Sequence, residues 1–127
     1  IQFHLDEIIN YEEFMVEDAE ILLIAYGSTS RSARQAVRMA RVDGIKVGLF
    51  RPITIWPFPN ARLKKLISKV DAALVAELNM GQIYKEVSQL NKKGKLLNLI
   101  NRVDGELISP DQILQAINEL RIQLDEY

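Results

Sequence analysis

The chain has 127 residues, with 16 Lys+Arg, 17 Asp+Glu, a formal net charge of −1 and no cysteine. That length suits one compact domain with its own core, and the charge balance argues against a nucleic-acid binder, which normally carries a basic excess. Without cysteine the chain cannot form disulfides, hold an iron–sulfur cluster through thiolates or use a thiol nucleophile. Its one histidine, His4, leaves little for histidine chemistry. No apolar run approaches the length that spans a bilayer, and no signal peptide is visible.

The first 17 residues are acidic and contain no Lys or Arg. Such a charge run is typical of a solvated connection, here from a preceding domain. A short helix followed by an extended piece near residues 12–16 is the alternative. The sequence starts with Ile rather than Met, so we expect a fragment or processed chain in which residues 1–17 lead into an α/β domain at residues 18–127.

The body of the chain alternates strand-like and helix-like patterns. A continuous apolar run at residues 21–26 is typical of a strand buried on both faces, and mostly apolar segments at residues 45–50, 72–78 and 96–100 predict further strands. Apolar residues at helical spacing follow each run and predict helices over about residues 30–42, 61–70, 82–90 and 110–124. Repeated strand–helix units predict parallel strands joined by right-handed crossovers, and therefore a three-layer α/β/α fold. The predicted core includes residues 21–25, 47–50, 74–76 and 97–99.

Two local signals mark helix boundaries. Gly44 is well placed to end the first predicted helix. Ser109-Pro110-Asp111-Gln112 has Ser before a helix start, Pro at the first helical position and Gln at the third. This pattern predicts a capping box, in which the Ser and Gln side chains satisfy backbone N–H groups that have no partner inside the helix.

The turn Gly27-Ser28-Thr29-Ser30 follows the first apolar strand and opens a helix. An N-capped turn of an ordinary strand–helix unit is the favoured interpretation. Free N–H groups and the helix dipole make an anion site at Gly27, Ser28 and Thr29 the alternative. The turn has neither the second glycine of a dinucleotide fingerprint nor the lysine of a P-loop.

Four arginines share one side of the helix that follows this turn: Arg31, Arg34, Arg38 and Arg41. A solvated face is the favoured interpretation, subunit docking comes second and nucleic-acid binding third. The acidic N-terminal segment is an available counter-charge within the same chain.

Two further loops are unusual in composition. Trp56-Pro57-Phe58-Pro59 holds two aromatic rings on a stiff backbone, which suits either interface anchors or a plug over the end of the sheet. Asn79-Met80-Gly81-Gln82 follows the third apolar strand, where ligands gather in α/β sheets, and Glu77 could be a buried, paired carboxylate beside it. No catalytic triad, metal-ligand cluster or acid–base pair is present, so we predict no catalytic, metal-binding or cofactor-binding residue.

Three segments in order and at matching spacing resemble a known family. They are residues 18–29, which end in Gly-Ser-Thr, residues 48–59 (Gly-Leu-Phe-Arg-Pro-Ile-Thr-Ile-Trp-Pro-Phe-Pro) and residues 75–82 (Val-Ala-Glu-Leu-Asn-Met-Gly-Gln). Over about residues 11–120 the chain resembles the transketolase C-terminal domain found in the α subunit of 2-oxoacid:ferredoxin (2-oxoacid:acceptor) oxidoreductases. That resemblance implies a mixed five-stranded sheet whose first strand, near residues 12–16, is antiparallel to the rest.

The resemblance also implies a place in a larger enzyme. Complete members of the family decarboxylate a 2-oxoacid on thiamine diphosphate with magnesium, form the acyl-CoA and pass electrons through iron–sulfur clusters to ferredoxin. The partners it implies are the other domains of the α subunit and a β subunit, with ferredoxin and CoA acting on the whole complex. We expect a cytoplasmic protein with no membrane or nucleic-acid partner.

The family's diphosphate–magnesium motif, Gly-Asp-Gly with a later Asn-Asn, is absent from this chain. The resemblance therefore implies a structural and assembly domain that is inactive alone and holds no cofactor, with 2-oxoglutarate favoured over pyruvate or branched-chain 2-oxoacids as substrate of the whole enzyme. The expected interface residues are Trp56, Phe58, Asn79, Met80, Gly81 and Gln82. The alternatives are the end domain of a transketolase or of a 2-oxoacid dehydrogenase β subunit, and a free-standing anion-binding regulatory α/β module.

Overall fold

A computed structural model of the chain describes residues 10–53, 58–78, 81–102 and 106–126. Five strands and four helices lie in these ranges: β1 (Tyr11–Phe14), β2 (Ile21–Ala25), α1 (Thr29–Val42), β3 (Val47–Pro52), α2 (Asn60–Lys69), β4 (Ala72–Glu77), α3 (Gln82–Leu90), β5 (Leu96–Asn101) and α4 (Pro110–Glu126). The predicted alternation of strands and helices is confirmed. The short helix considered for the first residues lies outside the described residues.

The strands form one sheet in the order β1-β3-β2-β4-β5. Strand β1 runs antiparallel to β3, whereas the β3–β2, β2–β4 and β4–β5 pairs are parallel. This arrangement confirms the mixed five-stranded sheet with an antiparallel first strand.

The capping box at the start of α4 is also confirmed. The Ser109 hydroxyl accepts from the backbone N–H of Gln112 at 3.1 Å, and the side-chain oxygen of Gln112 accepts from the backbone N–H of Ser109 at 2.8 Å.

Two apolar clusters cover the two faces of the sheet. Alternate residues of β2 belong to different clusters, because successive side chains of a strand point to opposite faces. Leu23 packs with α1 and α4 on one face, and Leu22 packs with α2 and α3 on the other. The sheet between two helical layers is the predicted three-layer architecture.

The predicted core is confirmed for β2, β3 and β4 but is wrong for β5. Residues 21–25, 47–50 and 74–76 are buried, whereas Leu97 and Asn98 are only partly buried and Leu99 is 36% exposed. Strand β5 lies at the edge of the sheet and pairs only with β4 among the described residues. An apolar run shows that a strand is covered, but it does not show on how many sides.

The acidic segment is not simply a solvated connection, so that favoured interpretation is wrong for its second half. Residues Tyr11–Phe14 pair with Leu49–Pro52 of β3, and the Tyr11 ring stacks on Phe50 with centroids 5.1 Å apart. The carboxylates of Glu12 and Glu13 form ion pairs with Arg51 and Arg62. The predicted strand near residues 12–16 is therefore real, although it begins at Tyr11 and ends at Phe14.

The turn after β1 crosses directly over β3 at Gly48. Met15 has a positive φ of 58°, and a Cβ at Gly48 would lie 2.7 Å from the Met15 carbonyl oxygen and 2.8 Å from the Val16 Cα. Arg41 of α1 donates to the Met15 carbonyl oxygen at 2.8 Å and to the Val47 carbonyl oxygen at 3.0 Å. The turn is thus held close to the sheet by hydrogen bonds at a position where only glycine leaves room.

Candidate functional site at the carboxyl ends of the strands

The loops that follow the parallel strands emerge at one edge of the sheet, where α/β proteins place their functional sites. Three large apolar side chains are exposed there: Tyr26 after β2, Ile53 after β3 and Leu107, which lies beside the turn after β2. We call these three residues the carboxyl-edge surface. Of the predicted interface residues, Trp56, Asn79 and Met80 lie outside the described residues, as do Pro57 and residues 103–105.

Glu77 organises the turn between β4 and α3. Its side chain is 2% exposed, and its carboxylate accepts from the backbone N–H groups of Ile83 at 3.3 Å and Tyr84 at 2.8 Å. These groups belong to the first turn of α3, whose N-cap is Gly81 with a φ of 88°. The predicted buried carboxylate is confirmed, but its hydrogen-bond partners among the described residues are backbone N–H groups rather than a charged side chain. A negative charge at a helix N-terminus is favourable, so no cation is required.

The described residues of the two unusual loops differ in burial. Phe58 is 7% exposed and packs in the same apolar cluster as Ile83 of α3. Gly81 is half-buried and Gln82, the first residue of α3, is exposed. Phe58 therefore contributes to this chain's own packing, as a plug at the end of the sheet would.

The turn after β2 does not form the predicted side-chain cap. Ser28 is the N-cap of α1 but its hydroxyl caps no backbone N–H, and the Ser30 hydroxyl donates to the Gly27 carbonyl oxygen at 2.6 Å instead. Thr29 is buried, and its hydroxyl has no hydrogen-bond partner among the described residues. A cavity of about 620 Å³ opens beside this turn.

The arginines of α1 have different neighbours. Arg34 and Arg38 lie over the Phe14 ring, with guanidinium carbons 4.6 and 5.4 Å from its centroid. Arg41 donates to both carboxylate oxygens of Asp18, at 2.9 and 2.8 Å, and this hydrogen bonding lowers the pKa of Asp18 below its ordinary value. The predicted counter-charge within the chain is confirmed for Arg41. The stripe is therefore only partly a solvated face.

Sequence reasoning missed Arg51 and Arg62 as the partners of the acidic strand, and it also missed Leu107. A signal for Arg51 was present, because an antiparallel β1–β3 pairing in this register places Glu12 opposite it.

Among the described residues, no cluster of three His, Asp or Glu side chains could hold a metal ion. In the same ranges, no helix is long and apolar enough to cross a membrane.

Comparisons with known proteins point to one family. A family model described as pyruvate:ferredoxin oxidoreductase core domain II matches residues 19–113. The ketoisovalerate oxidoreductase subunit VorB of Methanothermobacter marburgensis is 45% identical over 88% of this chain and 32% of its own length. The 2-oxoglutarate synthase subunit KorA of Methanocaldococcus jannaschii is 43% identical over 92% of this chain and 31% of its own length.

Solved structures agree with this assignment. A 2-oxoglutarate:ferredoxin oxidoreductase from Magnetococcus marinus matches with a TM-score of 0.81 and 25% identity, over 93% of this chain and 21% of that chain. A split-gene transketolase matches with a TM-score of 0.68 and 15% identity, which shows the shared fold alone. The transketolase alternative is therefore weaker. This chain spans about a third of the curated relatives it matches, and it belongs to the pyruvate:ferredoxin oxidoreductase core domain II family.

Proposed function

We propose that this chain is the structural and assembly domain of the α subunit of a thiamine-diphosphate-dependent 2-oxoacid:ferredoxin oxidoreductase. The whole complex would oxidatively decarboxylate a 2-oxoacid to the acyl-CoA, with thiamine diphosphate, magnesium and iron–sulfur clusters held outside this chain. Its partners are the other domains of the α subunit and the β subunit, whereas ferredoxin and CoA act on the whole complex, in the cytoplasm. Family membership and the subunit names of the relatives support this proposal.

The carboxyl-edge surface is the observation that carries the assembly role. Leu107 is 66% exposed, and Tyr26 and Ile53 are each more than a third exposed. Exposed apolar side chains gathered at one edge and rimmed by polar groups are typical of interaction sites. The loops expected to form the interface, at residues 56–59 and 79–82, follow β3 and β4 and so leave the sheet at this same edge.

The rigidity of this edge supports the same role. Glu77 fixes the start of α3 through two backbone hydrogen bonds, and Phe58 is packed against the core beneath it. A surface whose supporting backbone is already ordered loses little conformational entropy when it docks. We propose that Asn79, Met80, Gly81 and Gln82, together with Trp56, contact a neighbouring domain or subunit next to this supported backbone.

The identities of this domain to relatives named for different substrates overlap. Two relatives named for ketoisovalerate are 45% and 40% identical to it, and four named for 2-oxoglutarate are between 31% and 43% identical. A domain that contacted the substrate side chain would be expected to separate these two groups. We therefore propose that substrate choice is made in other domains, and we propose 2-oxoglutarate as the first substrate to assay.

Substitutions on the carboxyl edge should weaken assembly of the complete α and β subunits. We expect Ile53→Ser, Trp56→Ala and Met80→Ala each to lower the affinity by about tenfold or more, since burial of one large apolar side chain contributes about 1.5–3 kcal/mol. Light scattering after size-exclusion chromatography over a concentration series measures this affinity. Circular dichroism of the variant chain checks that the fold is intact.

The matched controls are Val42→Ser and Ile122→Ser, because both side chains are exposed but lie away from this edge, at the end of α1 and on α4. These variants should assemble with unchanged affinity. If all five variants assemble with equal affinity, the docking proposal is contradicted. Local packing would then be the role of the loops at residues 56–59 and 79–82.

A further inference from the structure

We propose that a cavity between α1 and β3 binds the phosphate group of a small molecule. Its described lining consists of Gly27, Ser28, Ser30, Arg31, Ser32, Arg34, Arg51 and Leu107. All charged side chains in this lining are arginines, and its other polar side chains are serines. We call this site the arginine cavity, and it goes beyond the assembly role proposed above.

Among the described lining residues, three arginines meet no carboxylate, and one of the three pairs with a carboxylate outside the lining. Arg51 pairs through one terminal nitrogen with Glu12, but its Nε is buried and has no acceptor among the described residues. Arg34 rests on the Phe14 ring, a contact that uses the face of the guanidinium and leaves its N–H groups available at the edge. Like charges held close together are unfavourable, so an anion among them is stabilised.

The start of α1 adds to this positive potential. Helix α1 has no acidic residue in its first turn and no side-chain cap on its N-terminal N–H groups. The helix dipole therefore remains uncompensated where Ser28 and Ser30 line the cavity. Buried Thr29, whose hydroxyl lacks a partner among the described residues, lies between these two serines in the chain.

A second cavity on the molecule provides a contrast. It has a volume of about 500 Å³ and is lined by three cations and three carboxylates, Lys46, Lys95, Arg121, Glu20, Asp71 and Asp125. The charges of that lining cancel, so it has no net attraction for an anion. The arginine cavity differs because none of its described lining residues is acidic.

The chemistry of the lining suits an oxyanion with several oxygens, such as phosphate, better than a simple halide. Guanidinium groups present pairs of N–H donors that match two oxygens of a phosphate, and the hydroxyls of Ser28 and Ser32 can donate to the remaining oxygens. The volume of about 620 Å³ leaves space for an organic group attached to the phosphate. Inorganic phosphate and pyrophosphate are therefore minimal probes of the site.

Nuclear magnetic resonance titration of the 127-residue chain tests this proposal. Inorganic phosphate or pyrophosphate is added at constant ionic strength, with sodium chloride as the reference salt. We expect saturable amide shifts centred on residues 27–32. Arg31→Ala should weaken binding by about tenfold, because it removes a charge-assisted hydrogen bond. The matched control Arg121→Ala removes the same charge from the balanced cavity and should leave the affinity unchanged.

Two outcomes would overturn the proposal. One is a set of non-saturating shifts spread over all basic surfaces, and the other is equal binding by Arg31→Ala and Arg121→Ala. If Arg31→Ala alters the circular dichroism spectrum, Arg31→Gln takes its place in the same titration. This variant also removes the charge but keeps more of the side chain, and it must likewise bind more weakly than Arg121→Ala.

Discussion

Replacement of Gly48 by alanine should destabilise the fold by at least about 3 kcal/mol, at the upper end of the usual cost of overpacking. The added Cβ would meet the Met15 carbonyl oxygen at 2.7 Å and the Val16 Cα at 2.8 Å. Both are backbone atoms, and Arg41 holds the first of them in place through a hydrogen bond. The turn cannot move away without breaking that bond, so the strain must be absorbed by β3 or by the loss of the β1 edge. Urea unfolding followed by circular dichroism measures the change.

Gly94→Ala is the matched control. A Cβ there meets nothing within 4 Å, although the positive φ of 65° disfavours alanine. We expect a loss of about 1–2 kcal/mol for this variant, the cost of placing alanine in a left-handed conformation. If Gly48→Ala is no less stable than Gly94→Ala, the turn after β1 does not lie against Gly48 as described.

Replacement of Glu77 by alanine should destabilise the chain by about 3 kcal/mol. The variant leaves the N–H groups of Ile83 and Tyr84 without their acceptor, and the first of these bonds is buried. Each unsatisfied buried donor costs about 1–3 kcal/mol. Glu77→Gln keeps one oxygen acceptor and should lose about half as much. Urea unfolding gives the free energy, and hydrogen exchange of the Ile83 and Tyr84 amides should accelerate in both variants.

Glu86→Ala controls for the loss of a carboxylate close to this turn in the sequence, since Glu86 is exposed on α3, the helix whose first turn Glu77 of β4 caps. Exposed substitutions of this kind usually change stability by less than about 0.5 kcal/mol. An equal loss in Glu77→Ala and Glu86→Ala would show that Glu77 does not support the start of α3.

Much of the architecture is predictable from periodicity, because a strand buried on both faces must be apolar throughout and a covering helix must carry an apolar stripe. Strands β2, β3 and β4 and all four helices follow these patterns. Strand β5 has the same kind of apolar run, yet Leu99 is exposed. The reason is that the strand order places β5 at the edge of the sheet. Local composition contains no information about which strand lies outermost.

The polar contacts were less predictable for a related reason. Glu12 and Arg51 are 39 residues apart, and their ion pair follows from the β1–β3 register rather than from any local pattern. Glu77 looked like a paired carboxylate, but its partners are backbone N–H groups that become available only when α3 starts at Gln82. Side chains that satisfy the backbone are hard to identify because every residue offers the same N–H group.

Calorimetric titration of the 127-residue chain with thiamine diphosphate and magnesium is the most direct test of the proposal that this domain holds no cofactor and serves assembly. Tight diphosphate binding normally recruits a divalent metal through carboxylate and amide oxygens, and among the described residues no acidic cluster of that kind is present. Any heat from the arginine cavity should be weak and equal with and without magnesium, so we expect no magnesium-dependent saturable heat at concentrations up to about 1 mM, a limit of about 4 kcal/mol of binding free energy. Binding with a Kd of about 1 μM, or about 8 kcal/mol, would contradict the proposal and place a cofactor site within this chain.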